Sequence, residues 1–213
     1  MKYKAVIFDL DGVIVSTDTY HYHAWKHMAN NINVHFDEQI NNRLRGVSRM
    51  ESLEIVLERS DDTFTQEEKE TLAEGKNKSY KMLLKQLNPA DVPGEIIEVL
   101  QKLRDNSVKI AIGSSSKNAK FILEQIGLTD MFDAISDGTM IKNSKPDPEV
   151  FLIAADMLNV APDECVVVED AKAGIIAAKR AGMTAVAIHD AKDSEEADYC
   201  INSLSELLSL FDK

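Results

Sequence analysis

Asp9 and Asp11 stand two residues apart at the carboxyl end of the apolar run Ala5-Val6-Ile7-Phe8, and Gly12 follows them directly. Two carboxylates so close repel each other unless a cation or a shared proton compensates, and a hard divalent metal is the simplest compensation. In a straight strand both side chains would share a face. Gly12 indicates that the chain is already turning, so one aspartate is expected to offer its side chain to the metal and the other its backbone carbonyl. A solvated turn is the plainer reading of an Asp-x-Asp pair taken alone.

Three further groups have the same chemical flavour. Ser114-Ser115-Ser116-Lys117-Asn118 follows the apolar run ending at Gly113, and Glu169-Asp170 follows Val166-Val167-Val168. Lys142-Asn143-Ser144-Lys145-Pro146-Asp147-Pro148 precedes a helical pattern, and its prolines would stiffen the backbone behind Lys145 and make it a fixed cation. Singly, each has an ordinary explanation: a helix cap, a solvated lysine, an exposed acidic turn. Their order and their shared position at strand ends carry more weight, because open α/β sheets bind ligands outside the carboxyl ends of their strands.

The elements that must position these residues alternate. Four β-like runs, Ala5 to Phe8, Val108 to Ile112, Val166 to Val168 and Thr184 to Ile188, are interleaved with helical patterns at Gly94 to Arg104, Lys117 to Gln125, Pro148 to Leu158 and Ala173 to Ala181. This predicts an α/β fold with a doubly wound parallel sheet. Residues 16–87 break the rhythm with helical patterns at Tyr20 to Asn30, Asp37 to Leu44, Arg49 to Arg59 and Gln66 to Leu84, and read as a helical insertion after the first strand. Residues 1–15 and 88–213 then form the core, with Asn88-Pro89 and Pro93-Gly94 marking the return. The acidic stretch Asp190 to Asp198 reads as a solvated loop.

A formal charge of -12 argues against nucleic acid or an anionic membrane as a partner, while leaving room for a local basic pocket that binds a small phosphate ester. The two cysteines, Cys165 and Cys200, make no disulfide framework, and Cys165 opens a buried-looking run. No apolar stretch is long enough to span a bilayer and no cleavable leader precedes the first strand, so a cytoplasmic protein is expected.

Taken together, Asp9-Leu10-Asp11-Gly12-Val13, Ser114, Lys145 and Glu169-Asp170 resemble, in order, the four motifs of the haloacid dehalogenase superfamily, over residues 4 to about 182. The resemblance implies a Rossmann-like core and Mg2+ held by Asp9, the backbone carbonyl of Asp11 and Asp170, with Glu169 touching it directly or through water. It makes Asp9 the nucleophile that forms an aspartyl phosphate, and Asp11 the acid and base. Ser114 and Lys145 would hold the phosphoryl oxygens.

Phosphatase, phosphonate hydrolase, dehalogenase and mutase chemistry all fit that core. Thr17, Tyr20 to Lys26, Leu44 to Ser52 and Lys76 to Tyr80 are similar to the helical cap of the β-phosphoglucomutase family. That likeness implies a hexose phosphate substrate, with β-D-glucose 1-phosphate and glucose 6-phosphate interconverted through glucose 1,6-bisphosphate; a monomer is expected. A mutase must grip a second phosphate, for which Arg49 is a candidate, with Ser116, Lys117 and Asn118 at a helix N-terminus offering further donors. The same likeness places Thr17 at a hinge, has His21 and Lys76 couple cap closure to Asp11, and adds Trp25, Gly46, Val47 and Ser52 to the substrate contacts. Trp25 read alone is as readily a core anchor. Two positions depart from the family's usual residues: Ser16 stands where an acid is usual and Arg45 where lysine is common. The rival readings are a sugar-phosphate phosphatase with the same nucleophile and a catalytically silent phosphate-binding module.

Overall fold

The computed structural model describes residues 2–44 and 47–211. The chain divides into two compact units, Met1–Ser16 with Asn88–Lys213, and Thr17–Leu87, so the boundary falls after Ser16 rather than before it. In chain order the elements are β1 (Ala5–Phe8), α1 (Asp18–Asn31), α2 (Glu38–Asn42), α3 (Arg49–Leu57), α4 (Gln66–Leu84), α5 (Gly94–Asp105) and β2 (Lys109–Gly113). They continue as α6 (Ala119–Gln125), β3 (Ala134–Ser136), α7 (Glu149–Leu158), β4 (Cys165–Glu169), α8 (Lys172–Arg180), β5 (Thr184–Ala187) and β6 (Tyr199–Cys200).

The larger unit is a parallel sheet in the order β3-β2-β1-β4-β5-β6. Every residue of β1 and β4 is buried, as expected of strands covered on both faces. Ala5 and Ile7 pack with Val150 and Phe151 of α7 and with Ile175 and Ala178 of α8. Strand order reverses across β1, and the register sets Phe8 level with Ile112 of β2 and Val168 of β4. The next residues, Asp9, Gly113 and Glu169, therefore emerge side by side at the switch point where such sheets open a crevice.

Two strands escape sequence reading. β3 has only three residues, and it is tacked to β2 by Asp133, whose backbone N–H donates to the Ile110 carbonyl and whose carboxylate accepts from the Ile110 N–H, both at 2.8 Å. β6 is a two-residue edge whose ladder is completed by Asp198. Its N–H donates to the Ala185 carbonyl at 2.9 Å, its carboxylate accepts from the Ala185 N–H at 2.8 Å, and Lys179 pairs with it at 2.6 Å. Asp198, though exposed, is thus a structural residue of the sheet, while the other acids of the stretch, Asp190, Asp193, Glu195 and Glu196, are exposed as a solvated loop requires, and His189–Asp193 forms a short 3-10 turn. Other element ends shift by a residue or two from the periodicity. Val108, expected to open β2, closes α5 by donating to the Leu103 carbonyl at 2.9 Å.

The helical unit packs around Trp25, Met28, Phe36, Ile40, Leu53, Val56 and Ala73. Its helix starts are locally encoded: Ser48 with Glu51 and Thr65 with Glu68 each form a reciprocal capping box at α3 and α4. Among the described residues no helix is long and apolar enough to cross a membrane.

The Asp198 contacts give a direct test. Asp198→Ala leaves the buried Ala185 amide without its acceptor and should lower unfolding free energy by about 1–3 kcal/mol. Asp198→Asn keeps an acceptor and should cost less, and equal denaturation midpoints for both variants and the parent would refute the role.

Candidate functional site

The carboxyl ends of β1 and β4 load one small volume with charge. Asp9 is buried at the end of β1, its N–H donating to the Val168 carbonyl at 3.0 Å. Beyond it the chain turns at Gly12, whose φ of +88° belongs to glycine. A Cβ at Gly12 would lie 2.1 Å from an Asp170 carboxylate oxygen, so the glycine gives Asp170 its place. Gly174 does the same for the other acid: a Cβ there would lie 1.9 Å from the Glu169 carboxyl carbon. A glycine inside a helical pattern is the sequence signal that marks it, since such a residue weakens a helix unless something packs against it.

Lys145 enters as the counter-charge of Asp9 and Glu169. Its ammonium donates to Asp9 Oδ1 and, at 2.5 Å, to Glu169 Oε1, while the second Glu169 oxygen accepts from the Ala171 N–H at 3.2 Å. Burial disfavours the charge on Lys145, but the attraction of Asp9 and Glu169 outweighs it and the pKa rises. Burial pushes the Glu169 carboxyl up to about 7 despite the pull of Lys145, with the Asp9 charge adding to the rise. Burial, then the charges of Asp9, Glu169 and Asp11, push Asp170 up to about 8. Three carboxylates against one ammonium leave an excess of negative charge, and Asp9, Glu169 and Asp170 offer oxygens within 4.8 Å of one another. An all-oxygen, anionic donor set fits a hard divalent cation such as Mg2+.

The serine loop is turned by its own hydroxyls. Ser114 Oγ accepts from the Ser116 N–H and Ser116 Oγ from the Asn118 N–H, both at 3.2 Å, so α6 begins at Ala119 and Lys117 precedes the helix instead of opening it. Because Ser114 Oγ accepts there, its proton can be donated to a ligand. β3 supports the loop from beneath: Ser114 N–H donates to the Ser136 carbonyl at 3.0 Å, and a Cβ at Gly138 would lie 2.3 Å from the Ser115 carbonyl oxygen. Missing β3 in the sequence meant missing this support.

Within the helical unit Lys76, His21, Trp25, Tyr80 and Thr17 form a second group. Lys76 is buried with its ammonium 4.6 Å from the Trp25 ring centre and 4.7 Å from that of Tyr80. It donates to His21 Nδ1 at 2.8 Å, because an ammonium has no acceptor, which puts the ring proton on Nε2. Desolvation first, then the Lys76 and Arg49 charges, hold the His21 pKa well below its ordinary value, so the ring is neutral. Thr17 Oγ1 and Tyr80 OH share a 2.7 Å hydrogen bond, a partner that sequence reading passed over. Trp25 lies in the core of this unit, beneath Lys76, instead of offering an exposed sugar platform. Arg49 opens α3 half-buried, Ser52 is buried one turn on, and Val47 precedes the cap residue Ser48. Gly46 and the Arg45 departure lie outside the described residues.

The family model for haloacid dehalogenase-like hydrolases matches residues 6–188. The chain belongs to that family. Among its relatives in the family is the β-phosphoglucomutase of Bacillus subtilis strain 168, 45% identical over 206 residues that cover 96% of this chain and 91% of that protein. The crystal structure of β-phosphoglucomutase from Clostridium difficile superimposes with a TM-score of 0.89 at 40% identity, covering 96% of this chain and 93% of that one. A phosphorylated-carbohydrate phosphatase of Thermotoga maritima is 32% identical over 90% of this chain and 88% of its own.

The carboxylate cluster predicts a pH-dependent metal affinity. Protons compete with the cation for Asp170 and Glu169, so apparent Mg2+ affinity should climb as pH rises and level off above about 8, where Asp170 has ionised. In the metal-free protein the raised Asp170 value works the other way: stability is greatest while the group is protonated and falls as pH rises from the ordinary carboxylate range toward about 8. Calorimetric titration with Mg2+ at pH 6, 7 and 8.5 checks the first trend, and a flat affinity would contradict it.

Proposed function

We propose that the chain is an intramolecular phosphotransferase that interconverts β-D-glucose 1-phosphate and glucose 6-phosphate through an aspartyl phosphate and glucose 1,6-bisphosphate. The observation that carries the reading is the likeness to a β-phosphoglucomutase along nearly the whole chain, the helical unit included. The charge cluster supports the phosphoryl-transfer chemistry.

In this reading the Asp9 carboxylate attacks phosphorus in line, and the bond from phosphorus to the sugar oxygen breaks. The Asp11 carboxyl gives its proton to the departing oxygen and, in the return step, recovers one from the accepting hydroxyl. Lys145 neutralises the incoming phosphoryl oxygens, and Ser114 donates its hydroxyl to them. Mg2+, which Asp9, Glu169 and Asp170 would hold with the Asp11 carbonyl, supplies positive charge that offsets repulsion between nucleophile and phosphate. The phosphoenzyme passes its group to O6 of β-glucose 1-phosphate, and the resulting bisphosphate returns its O1 phosphate to Asp9, releasing glucose 6-phosphate. A bisphosphate needs a second grip: in the helical unit Arg49 is assigned that role, with Thr17, His21, Val47, Ser52 and Lys76 as further substrate contacts, and in the larger unit Ser116, Lys117 and Asn118 are candidate donors. Free thiols at Cys165 and Cys200 agree with a cytoplasmic site of action, and the working state in this reading is a monomer.

The phosphatase relative keeps a second reading open, in which water takes the phosphate from Asp9. Catalytic glucose 1,6-bisphosphate with excess β-glucose 1-phosphate separates them: glucose 6-phosphate without inorganic phosphate supports the mutase, and stoichiometric phosphate release supports the phosphatase. Asp9→Asn should abolish turnover with the fold intact, since an amide is no anionic nucleophile. Phosphate incorporated into that variant's active site would sink the assignment. Arg49→Ala should spare labelling of Asp9 by acetyl phosphate, which has no distal phosphate, yet lower transfer to sugar roughly thirty-fold or more, the worth of about 2–5 kcal/mol for a lost charged contact. Equal loss in both reactions, or loss in neither, would remove Arg49 from the role.

A further inference from the structure

We infer that Phe151 is a positioning residue whose ring face fixes the Lys145 ammonium between Asp9 and Glu169, an inference that rests on the phosphoryl-transfer reading above. The Lys145 nitrogen lies 4.7 Å from the Phe151 ring centre, within the range of a cation–π contact. Lysine presents a point charge on a flexible four-carbon stem. Two carboxylates define an axis about which such a group can swing, and a third contact defines a position. Both Lys145 and Phe151 are buried, so water is a poor candidate for that third contact.

The ring is itself held from several sides. It packs against the last residue of β2, where a Cβ at Gly113 would meet ring carbons at 2.6 and 2.8 Å, immediately before Ser114. The loop carrying Lys145 is tied to the same helix: Glu149 of α7 accepts from the Lys142 and Asn143 N–H groups at 2.8 and 2.9 Å. From α8, Arg180 donates to the Pro146 carbonyl at 3.1 Å. Lysine, ring and serine loop are thereby one mechanical unit.

The chemical choice at 151 follows from the charge already present. A further carboxylate would hold the ammonium but add repulsion against an anionic phosphoryl group, in a site that already has Asp9, Asp11, Glu169 and Asp170. An aliphatic side chain would fill the space and leave that face of the cation without attraction. An aromatic face attracts the cation and brings no net charge.

Fluorination isolates this effect, because each ring fluorine weakens the negative face while changing volume little. Phe151 is replaced by 4-fluoro-, 3,5-difluoro- and 3,4,5-trifluorophenylalanine, with Phe151→Leu as the ringless comparison, and each variant's thermal midpoint is checked. We expect kcat for glucose 6-phosphate formation to fall stepwise along the series, by about five- to tenfold at the trifluoro ring, while KM changes by less than about twofold. Labelling of Asp9 by acetyl phosphate should slow in parallel. A flat kcat and a flat labelling rate across the series would overturn the inference. If the unmodified chain is labelled on Asp9 but forms no glucose 6-phosphate, the mutase reading falls alone and the labelling series decides the role of the ring. Absence of both labelling and turnover in the unmodified chain refutes both.

Discussion

The Lys145 ammonium between Asp9 and Glu169 is the interaction on which the rest of the larger unit depends. Removing an ion from water costs several kcal/mol even after the protein relaxes, and a buried pair recovers that only with good geometry and filled hydrogen-bond sites. Glu169 meets the condition with one oxygen on Lys145 and the other on the Ala171 amide. The site as a whole does not, because the acids outnumber the ammonium. Burial first, and then the crowding of negative charge, raises the Asp170 and Glu169 values, and a divalent cation is the natural remedy. Stability and function pull in opposite directions here, as they commonly do where a site is built to receive charge.

Geometry of this kind demands empty space in particular places. The positions of Gly12 and Gly174 are occupied by the Asp170 and Glu169 carboxylates, that of Gly113 by the Phe151 ring and that of Gly138 by the Ser115 carbonyl. Only Gly12 of these four also needs the left-handed backbone; the others are glycines because a neighbour has taken the volume of a Cβ. Around the charge cluster, the residues that make chemistry possible include those that contribute no side chain at all.

This explains what could be read from the amino-acid order and what could not. β1 and β4 were readable as continuous apolar runs and the helices by their repeating apolar period, and these elements, with the four-helix insertion between β1 and α5, emerge close to their expected spans. The charged residues at strand ends were readable as candidates because the parallel register brings consecutive strand ends together. β3 and β6 were not, since three and two residues carry no period, and what creates them is Asp133 and Asp198 acting as side-chain rungs. Trp25 was ambiguous for a different reason. A tryptophan's type does not say whether its ring faces core or ligand, and here the ring lies among Met28, Phe36 and Leu53 with Lys76 over it. Phe151 gave no signal, and Tyr80 none beyond its place at the end of Lys76 to Tyr80, because each belongs to the buried face of its own helix and their polar roles exist only in three dimensions.

The two units divide the chemical labour along the same line. The carboxylates, the lysine and the serine loop of the larger unit are suited to moving a phosphoryl group to and from Asp9, and nothing in that set distinguishes sugar from water as the acceptor. A fold of this kind therefore hosts phosphatases and mutases alike, and the distinction must come from groups that recognise what is not reacting. In the proposed function that task falls to the helical unit, whose polar groups are arranged unlike the first: a neutral His21 bound to a cation lodged between two rings, and a half-buried arginine at the start of α3. Selection for one sugar phosphate over another can in that case act on the helical unit while leaving the carboxylate cluster untouched.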